Sequence, residues 1–560
     1  MISKISKLIL ALAFVGSSVF AQSLDDAKKA IDAEQYQKAK SMLKNLTVTQ
    51  ATKDENFFYL GWVYILQDYT DSAKTVFNKG IAVNPKSALN YAGLGVAAFV
   101  DKDKATATTN FNQAVSLAGK SSTPYIYIGE GYLLNPVNDK VDPADANAAI
   151  AVLNKGKAVN PKDAELLVVL GDAYRTQLKS SEALDNYMAA LALNPKLAHA
   201  KVATGVLWRY ANNFEDSEKQ FQEALAIDPN YGPAYREWAE TDARWALTDP
   251  KQASVKIKQA VDQYRKYLSL TDMSLESRLR YADFLAYAGD YKALQTEATE
   301  LAKSSNNNLR VYRYLGYAAY ENKDYPAALT AMNTWVTKAE PKRVIPRDYL
   351  YLGRILIASQ QDSLGIAALQ KAYTMDTTQA DVFAEIGKSL YAQKKYEKAG
   401  DAYRTYLTKS HKGTLNDYLR VGTSYYFAFD PAKNPDTTLL TKADSAFSYI
   451  SQKASKPIPA VVLFRARVND SKEVDRNNIK GFAKPYYEQY ITIMTATPPT
   501  DEKAKRDLAE AYIYLGNIYQ YKEKDDAKAT ENFTKAKELD PTNKQVASFF
   551  SRKGGAAKGK

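Results

Sequence analysis

The 560-residue chain contains no cysteine and only two histidines, His199 and His411. Without a thiol there is no disulfide, no thiolate metal site, no cysteine nucleophile and no lipid-modified cysteine. Two isolated histidines do not build a histidine metal centre or a catalytic triad. Long apolar runs are missing as well. Leu8–Val15 is far short of the roughly 20 residues that span a bilayer, and no later segment is apolar enough. Gly93 and Gly95 are followed by Ala98 where a dinucleotide loop needs a third glycine. Ser121-Ser122-Thr123-Pro124 lacks the flanking glycines of a nucleophile elbow. Asp25-Asp26 and Asp525-Asp526 are sequence neighbours, and on a helix such residues point about 100° apart, so they cannot flank a bond. No catalytic constellation assembles. The chain reads as a non-enzyme with no cofactor and no metal.

What is present is ordinary for a folded protein, with 46% hydrophobic and 25% charged residues. The length exceeds one compact core, so several domains or a repeat array are expected. The net charge is +12. Met1–Ala21 has the form of a secretory signal peptide: Lys4 and Lys7, the apolar run Leu8–Val15, and Val19-Phe20-Ala21 ahead of Gln22. Its removal takes away two lysines and leaves about +10, which favours acidic partners or surfaces. The expectation is an exported, periplasmic protein with no transmembrane segment in the mature chain. The 41 tyrosines are unusual, and in a helical array many would pack between helices with the hydroxyl reaching water.

Spacing organises the rest. Ala164–Pro195 holds Leu170, Gly171 and Tyr174, then Ala183, Tyr187, Ala190 and Pro195. Nearly the same frame returns as Gly205, Trp208, Phe214, Phe221, Ala224 and Pro229, and Gly61, Gly95 and Gly129 are also 34 apart. Small residues sit where two helices cross closely and large ones fill the space beside them, while proline closes the unit. Gly129 to Gly171 is 42, the phase plus eight residues around Asn135-Pro136 and Asp142-Pro143. Ala239 to Ala282 is 43, plus nine around Thr248-Asp249-Pro250. Gly316, Gly353, Gly387 and Gly422 follow, the last with an insertion at Asp430–Pro435. Pro457–Pro499 is the least regular stretch, and Gly516 anchors a clear final unit.

A period of about 34 with this pattern resembles the tetratricopeptide (TPR) family of helix–turn–helix units. The resemblance implies an all-α solenoid of about 14 antiparallel helix pairs winding into a right-handed superhelix. The divisions expected are a signal peptide at 1–21, an N-terminal array at 22–245 and a central array at 246–456. Degenerate and final units follow at 457–545, with a cap and basic disordered tail at 546–560. A solvating helix at Gln545–Arg552 would cap the array. The tail reads as a frayed terminus, and no nucleic-acid partner is expected.

The family also implies a use. TPR arrays bind proteins or peptides on the concave face, lined by positions one and four after the small anchor and three before it. That stripe is apolar first, with Phe58, Trp62, Ile65, Ala92, Val96, Phe99 and Ile126. It then turns cationic and aromatic. Arg175, Arg209, Tyr210, Arg236, Arg244, Arg313, Tyr317, Tyr320, Arg354 and Tyr391 are the candidate peptide-binding residues, with Lys388 and Tyr426 beside them and Asp172, Glu240 and Asp283 interrupting. Arginine grips carboxylates through a planar fork and tyrosine covers apolar area at small entropic cost, which suits an extended acidic segment. The carboxylate clamp of TPR co-chaperones is not matched, because Asn517 fits its asparagine but Ile513 stands at its lysine. The implied function is an exported scaffold for a protein partner, in envelope assembly, secretion or outer-membrane protein traffic. The alternative is a binder of an anionic envelope polymer, lipopolysaccharide or peptidoglycan.

Overall fold

The computed structural model describes residues 23–134, 140–304, 308–473 and 479–557. The signal-peptide reading and the end of the tail lie outside them. Helices α1 to α29 follow one another along the chain as 14 consecutive pairs and a cap, with no strand among the described residues. The fold is an all-α solenoid of repeated helix pairs. An isolated bridge between Asp430 and Asn434 closes the insertion in the Gly422 unit. No described helix is long and apolar enough to cross a membrane.

The unit of α9 (Ala164–Thr176) and α10 (Ser180–Leu193) shows why these residues fold this way. Asp163 caps α9, its Oδ1 accepting from the Leu166 amide at 3.2 Å. A Cβ on Gly171 would collide with the Tyr187 ring and lie 3.1 Å from the Ala183 carbonyl oxygen, so glycine sets the helix crossing distance. The same contact recurs down the chain. Gly61 meets Phe77, Gly95 meets Phe111, Gly205 meets Phe221, Gly316 meets Met332, Gly353 meets Leu369 and Gly387 meets Tyr403, always 16 residues on.

The turn between the two helices carries a second periodic signature. The chain takes a left-handed residue at Asp68, Lys102, Leu178, Asn212, Lys323, Gln360 and Lys394, each seven residues after its anchor, and Gly289 stands in the same place after Ala282. In the final unit the left-handed residue is Lys524, one place later than this rule, and the Gly516 contact with Phe533 is also one place later. The extra residue is absorbed as a π turn over Ile518–Glu523.

The insertions differ in kind. The nine residues near Thr248-Asp249-Pro250 do not form a long loop. They lengthen α13 (Gly232–Thr248) and α14 (Ala253–Leu270) to 17 and 18 residues, where their neighbours α11 (Ala198–Tyr210) and α12 (Phe214–Ile227) have 13 and 14. The irregular stretch forms one pair, α25 (Pro459–Ser471) and α26 (Lys484–Ala496). The cap α29 runs Lys544–Ala557, longer than expected, because Phe549 packs face to face on Phe533 and the helix continues beyond that contact. The first residues expected in the tail are therefore helical. Contacts divide the chain into two compact units, residues up to Tyr314 and residues from Leu315 onward.

Candidate functional site

In the N-terminal unit the first helices of successive pairs carry the expected stripe. Its apolar end is core rather than an open groove. On α3 (Asp54–Leu66) Phe58 and Trp62 are buried, and the Tyr127 ring of α7 (Thr123–Leu133), two pairs on, stands edge-on to both at 4.7 and 4.8 Å. Ile65, Ala92, Val96, Phe99 and Ile126 are buried too.

The charged part of the stripe is a ladder between neighbouring helices. Asp172 on α9 accepts from Arg175 at 3.1 Å and from the Tyr187 hydroxyl at 2.7 Å, and lies 3.2 Å from His199 of α11. Burial alone raises Asp172, but the His199 and Tyr187 hydrogen bonds and the Arg175 charge hold it well below the usual carboxylate range. Burial pulls His199 down, yet Asp172, with Asp32 and Glu165 behind it, raises it to about 9. Arg209 on α11 donates to Glu237 of α13 at 2.8 Å. Burial raises Glu237, and Arg209 and Arg236 reverse this and set it at about 2. Glu240 of α13 accepts two bonds from Arg280 of α15 (Leu275–Ala288), at 2.7 and 2.5 Å. Asp283 of α15 in turn takes Arg310 at 3.4 Å and the Tyr314 hydroxyl at 2.9 Å. The acidic residues that interrupt the stripe are thus paired within the fold, Asp172 with the stripe's own Arg175, and Glu240 and Asp283 with Arg280 and Arg310, which lie off it.

The second unit continues the motif. Arg354 on α19 (Pro346–Ala358) donates Nε and Nη2 to Glu385 of α21 (Val382–Ala392) at 3.0 and 2.6 Å. Arg467 of α25 grips Glu510 and Asp507 of α27 (Glu502–Asn517). Tyr317 is 2% exposed, stacked on Tyr351 at 4.1 Å, and its hydroxyl donates to Asp348 at 2.6 Å. It packs the array and presents no surface to a ligand. Tyr320 lies half-buried beside Tyr351 and Tyr325, and Tyr391 half-buried against Tyr396. Arg313 is half-buried on α17 (Arg310–Glu321) and already engaged.

A tetratricopeptide-repeat family model matches residues 168–232, and a second matches 509–543. The chain is a tetratricopeptide-repeat protein. Among solved structures it is similar to the C-terminal part of a TPR repeat-containing protein from Cytophaga hutchinsonii, 29% identical, with 48% of this chain and 98% of that one covered and a TM-score of 0.36. A tetratricopeptide repeat protein from Parabacteroides merdae is 18% identical, covering 49% of this chain and 100% of its own, with a TM-score of 0.32. A chain of the APC/C hetero-tetramer Cut9–Hcn1 is 13% identical, covering 84% and 98%, with a TM-score of 0.34. No curated protein matches the chain.

Among the described residues the stripe of this tetratricopeptide array is accessible at Lys388, which is exposed, and at two further places. Tyr210 is 51% exposed, with Arg209 at 5.5 Å and Arg244 at 5.9 Å from its ring centroid. Arg244 donates only to the neutral Asn212, at 3.1 Å, and makes no ion pair among the described residues. At the end of the array a cavity of about 560 Å³ is bordered by Tyr487, Glu510, Asn517, Gln520, Tyr521 and Arg552. Asn517, the one match to the co-chaperone clamp, faces this space beside Ile513 and the Glu510 carboxylate. Glu510 is itself held by Arg467 and by the Tyr487 hydroxyl at 2.9 Å. No described group of ≥ 3 His, Cys, Asp or Glu is placed to hold a metal ion.

The stripe reading brought the arginines together but missed their partners Glu237, Glu385 and Glu510 and the cations Arg280, Arg310 and Arg467. Glu237 and Glu385 each stand two residues before their anchors Ala239 and Gly387, and that recurrence was the available signal. Glu34 had none, for its partner lies about 200 residues away.

Proposed function

We propose that this tetratricopeptide array is a scaffold that holds an extended acidic segment of a protein partner, with Tyr210 and Arg244 as its principal accessible grip in the N-terminal unit. The observation that carries this reading is Arg244: among the described residues its guanidinium meets a neutral amide and the face of an exposed tyrosine and makes no ion pair, so no carboxylate there compensates its charge. A carboxylate arriving there gains a charged hydrogen bond and displaces nothing. At Arg209 or Arg354 it must instead displace a carboxylate of the fold, with little net gain. The proposed setting is the periplasm, resting on the leader-like Met1–Ala21, and the proposed task is envelope assembly, secretion or outer-membrane protein traffic. The alternation of carboxylates with arginines along the stripe favours a protein segment over a uniform polyanion such as lipopolysaccharide.

The test is crosslinked capture from the native envelope fraction by the mature protein. Arg244→Glu with Tyr210→Ala should reduce capture of the partner by about tenfold or more, the scale of an interface hot spot. Lys528→Glu with Lys535→Glu, on exposed side chains of the last pair, should leave it unchanged. Equal loss in both pairs of substitutions would mean diffuse surface charge and defeat the reading.

A further inference from the structure

Among the described residues every rung of the ladder joins neighbouring repeats except one. Helix α1 (Leu24–Asp32) ends at the corner Asp32-Ala33-Glu34 before α2 (Tyr36–Thr49), and this corner is seated against α11, α13 and α14. Ala33 is 4% exposed, in a cluster with Ala198, Val202, Val206, Tyr231 and Ala234. Gly232 makes the approach possible, since a Cβ there would stand 3.0 Å from the Ala33 carbonyl oxygen. Around this small apolar contact the links are polar. The Tyr231 hydroxyl donates to Asp32 at 3.1 Å, the Tyr267 hydroxyl to Glu34 Oε2 at 2.9 Å, and Arg236 Nη1 to Glu34 Oε1. The Gln37 amide donates to Asp272 at 2.8 Å.

We propose that Arg236 and Tyr267 form a carboxylate-binding seat, that Glu34 is its resident occupant, and that an acidic side chain of the partner segment takes the seat by exchange with Glu34. The proposal rests on the scaffold reading above and adds a site to it. Three features separate this seat from the other rungs. Glu237, Glu385 and Glu510 sit on helices inside the array, with further helices before and after their own pair. Glu34 sits on the corner of a terminal pair whose first helix has nine residues and no described repeat before it, which places it among the elements that open locally at low cost. The seat is also reachable: the Arg236 side chain is 33% exposed, and its Nη2 makes no hydrogen bond among the described residues. Exchange replaces one carboxylate by another and is close to neutral in enthalpy. The tethered Glu34 competes through its effective concentration, so apparent affinity falls by the fraction of molecules in which the seat is open.

The probe is a fluorescein-labelled hexaglutamate peptide titrated into the full mature chain at low salt. Glu34→Gln removes the competitor and keeps the shape, and should bind about tenfold more tightly than the unsubstituted protein, while Glu34→Gln with Arg236→Gln should lose that gain. Hydrogen exchange at the Gln37 amide should speed up when the peptide binds, because the Asp272 contact opens with the corner. Unchanged affinity in Glu34→Gln, or an unchanged Gln37 exchange rate at saturating peptide, would overturn the exchange. The scaffold reading would then still stand or fall on capture by the Arg244→Glu variant. No hexaglutamate binding to any form would overturn the seat itself.

Discussion

Gly171 shows how little room the repeat leaves at its crossing. Adding one carbon puts an atom against the Tyr187 ring and the Ala183 carbonyl, and the backbone on one side cannot yield. Gly171→Ala should therefore destabilise the N-terminal unit by about 1–3 kcal/mol, the cost of overpacking. Denaturant melts showing no change would mean the pair adjusts freely. A second residue-scale consequence concerns pH. His199 in the folded protein keeps its proton up to about 9, whereas in an unfolded chain it loses it near 6.5. The folded form therefore binds the extra proton between these values, and stability falls as pH rises through that window. Glu130 acts with the same sign lower down, since burial and the charges of Glu165, Asp172 and Asp32 outweigh His199 and raise it to about 8. The melting temperature should drop between pH 7 and pH 9.5, and His199→Gln should flatten most of the drop above pH 8. An unaltered slope in that variant would contradict the pairing with Asp172.

At the scale of the helix pair, the small anchors were legible because each needs the same residue type for the same steric reason. The left-handed turn position was not. Glu34, Asp68, Lys102, Leu178 and Asn212 share a conformation and no chemistry, since the helix ends on either side impose it. Leu178 is the clearest conflict, being 84% exposed at φ 59°. Its left-handed conformation costs about 1–2 kcal/mol, more than the about 0.4–1 kcal/mol that glycine adds to unfolded-chain entropy. Leu178→Gly should raise stability by roughly 0.5 kcal/mol in chemical melts, and a loss would show that the leucine makes a contact worth keeping. The nine inserted residues near Pro250 were legible as extra length but not as a conformation. They became helix ends, where Asp249 closes α13 and the chain restarts within three residues. The π turn left no mark in residue type either, only a spacing longer by one.

For the whole molecule, the sequence identified the charged stripe but not what it touches. A charge at a groove position reads the same whether its counter-ion comes from a partner or from the next repeat, and only the packing of successive first helices separates the two. The packing assigns most of these arginines to the fold, Arg175, Arg209 and Arg236 in the first compact unit and Arg354 in the second, where Arg467, which the stripe did not include, is held in the same way. In the proposed function, partner recognition falls to the residues left over, in the N-terminal unit the half-buried Arg244 beside the exposed Tyr210. The most direct measurement of this division is partner capture by Arg354→Gln beside Arg244→Glu, each with its melting curve. The account predicts that Arg354→Gln lowers the melting temperature, by about 1 kcal/mol of stability for a part-exposed bidentate pair, and still captures the partner, while Arg244→Glu melts normally and captures little. Arg354→Gln that melts like the unsubstituted protein but loses the partner would contradict it.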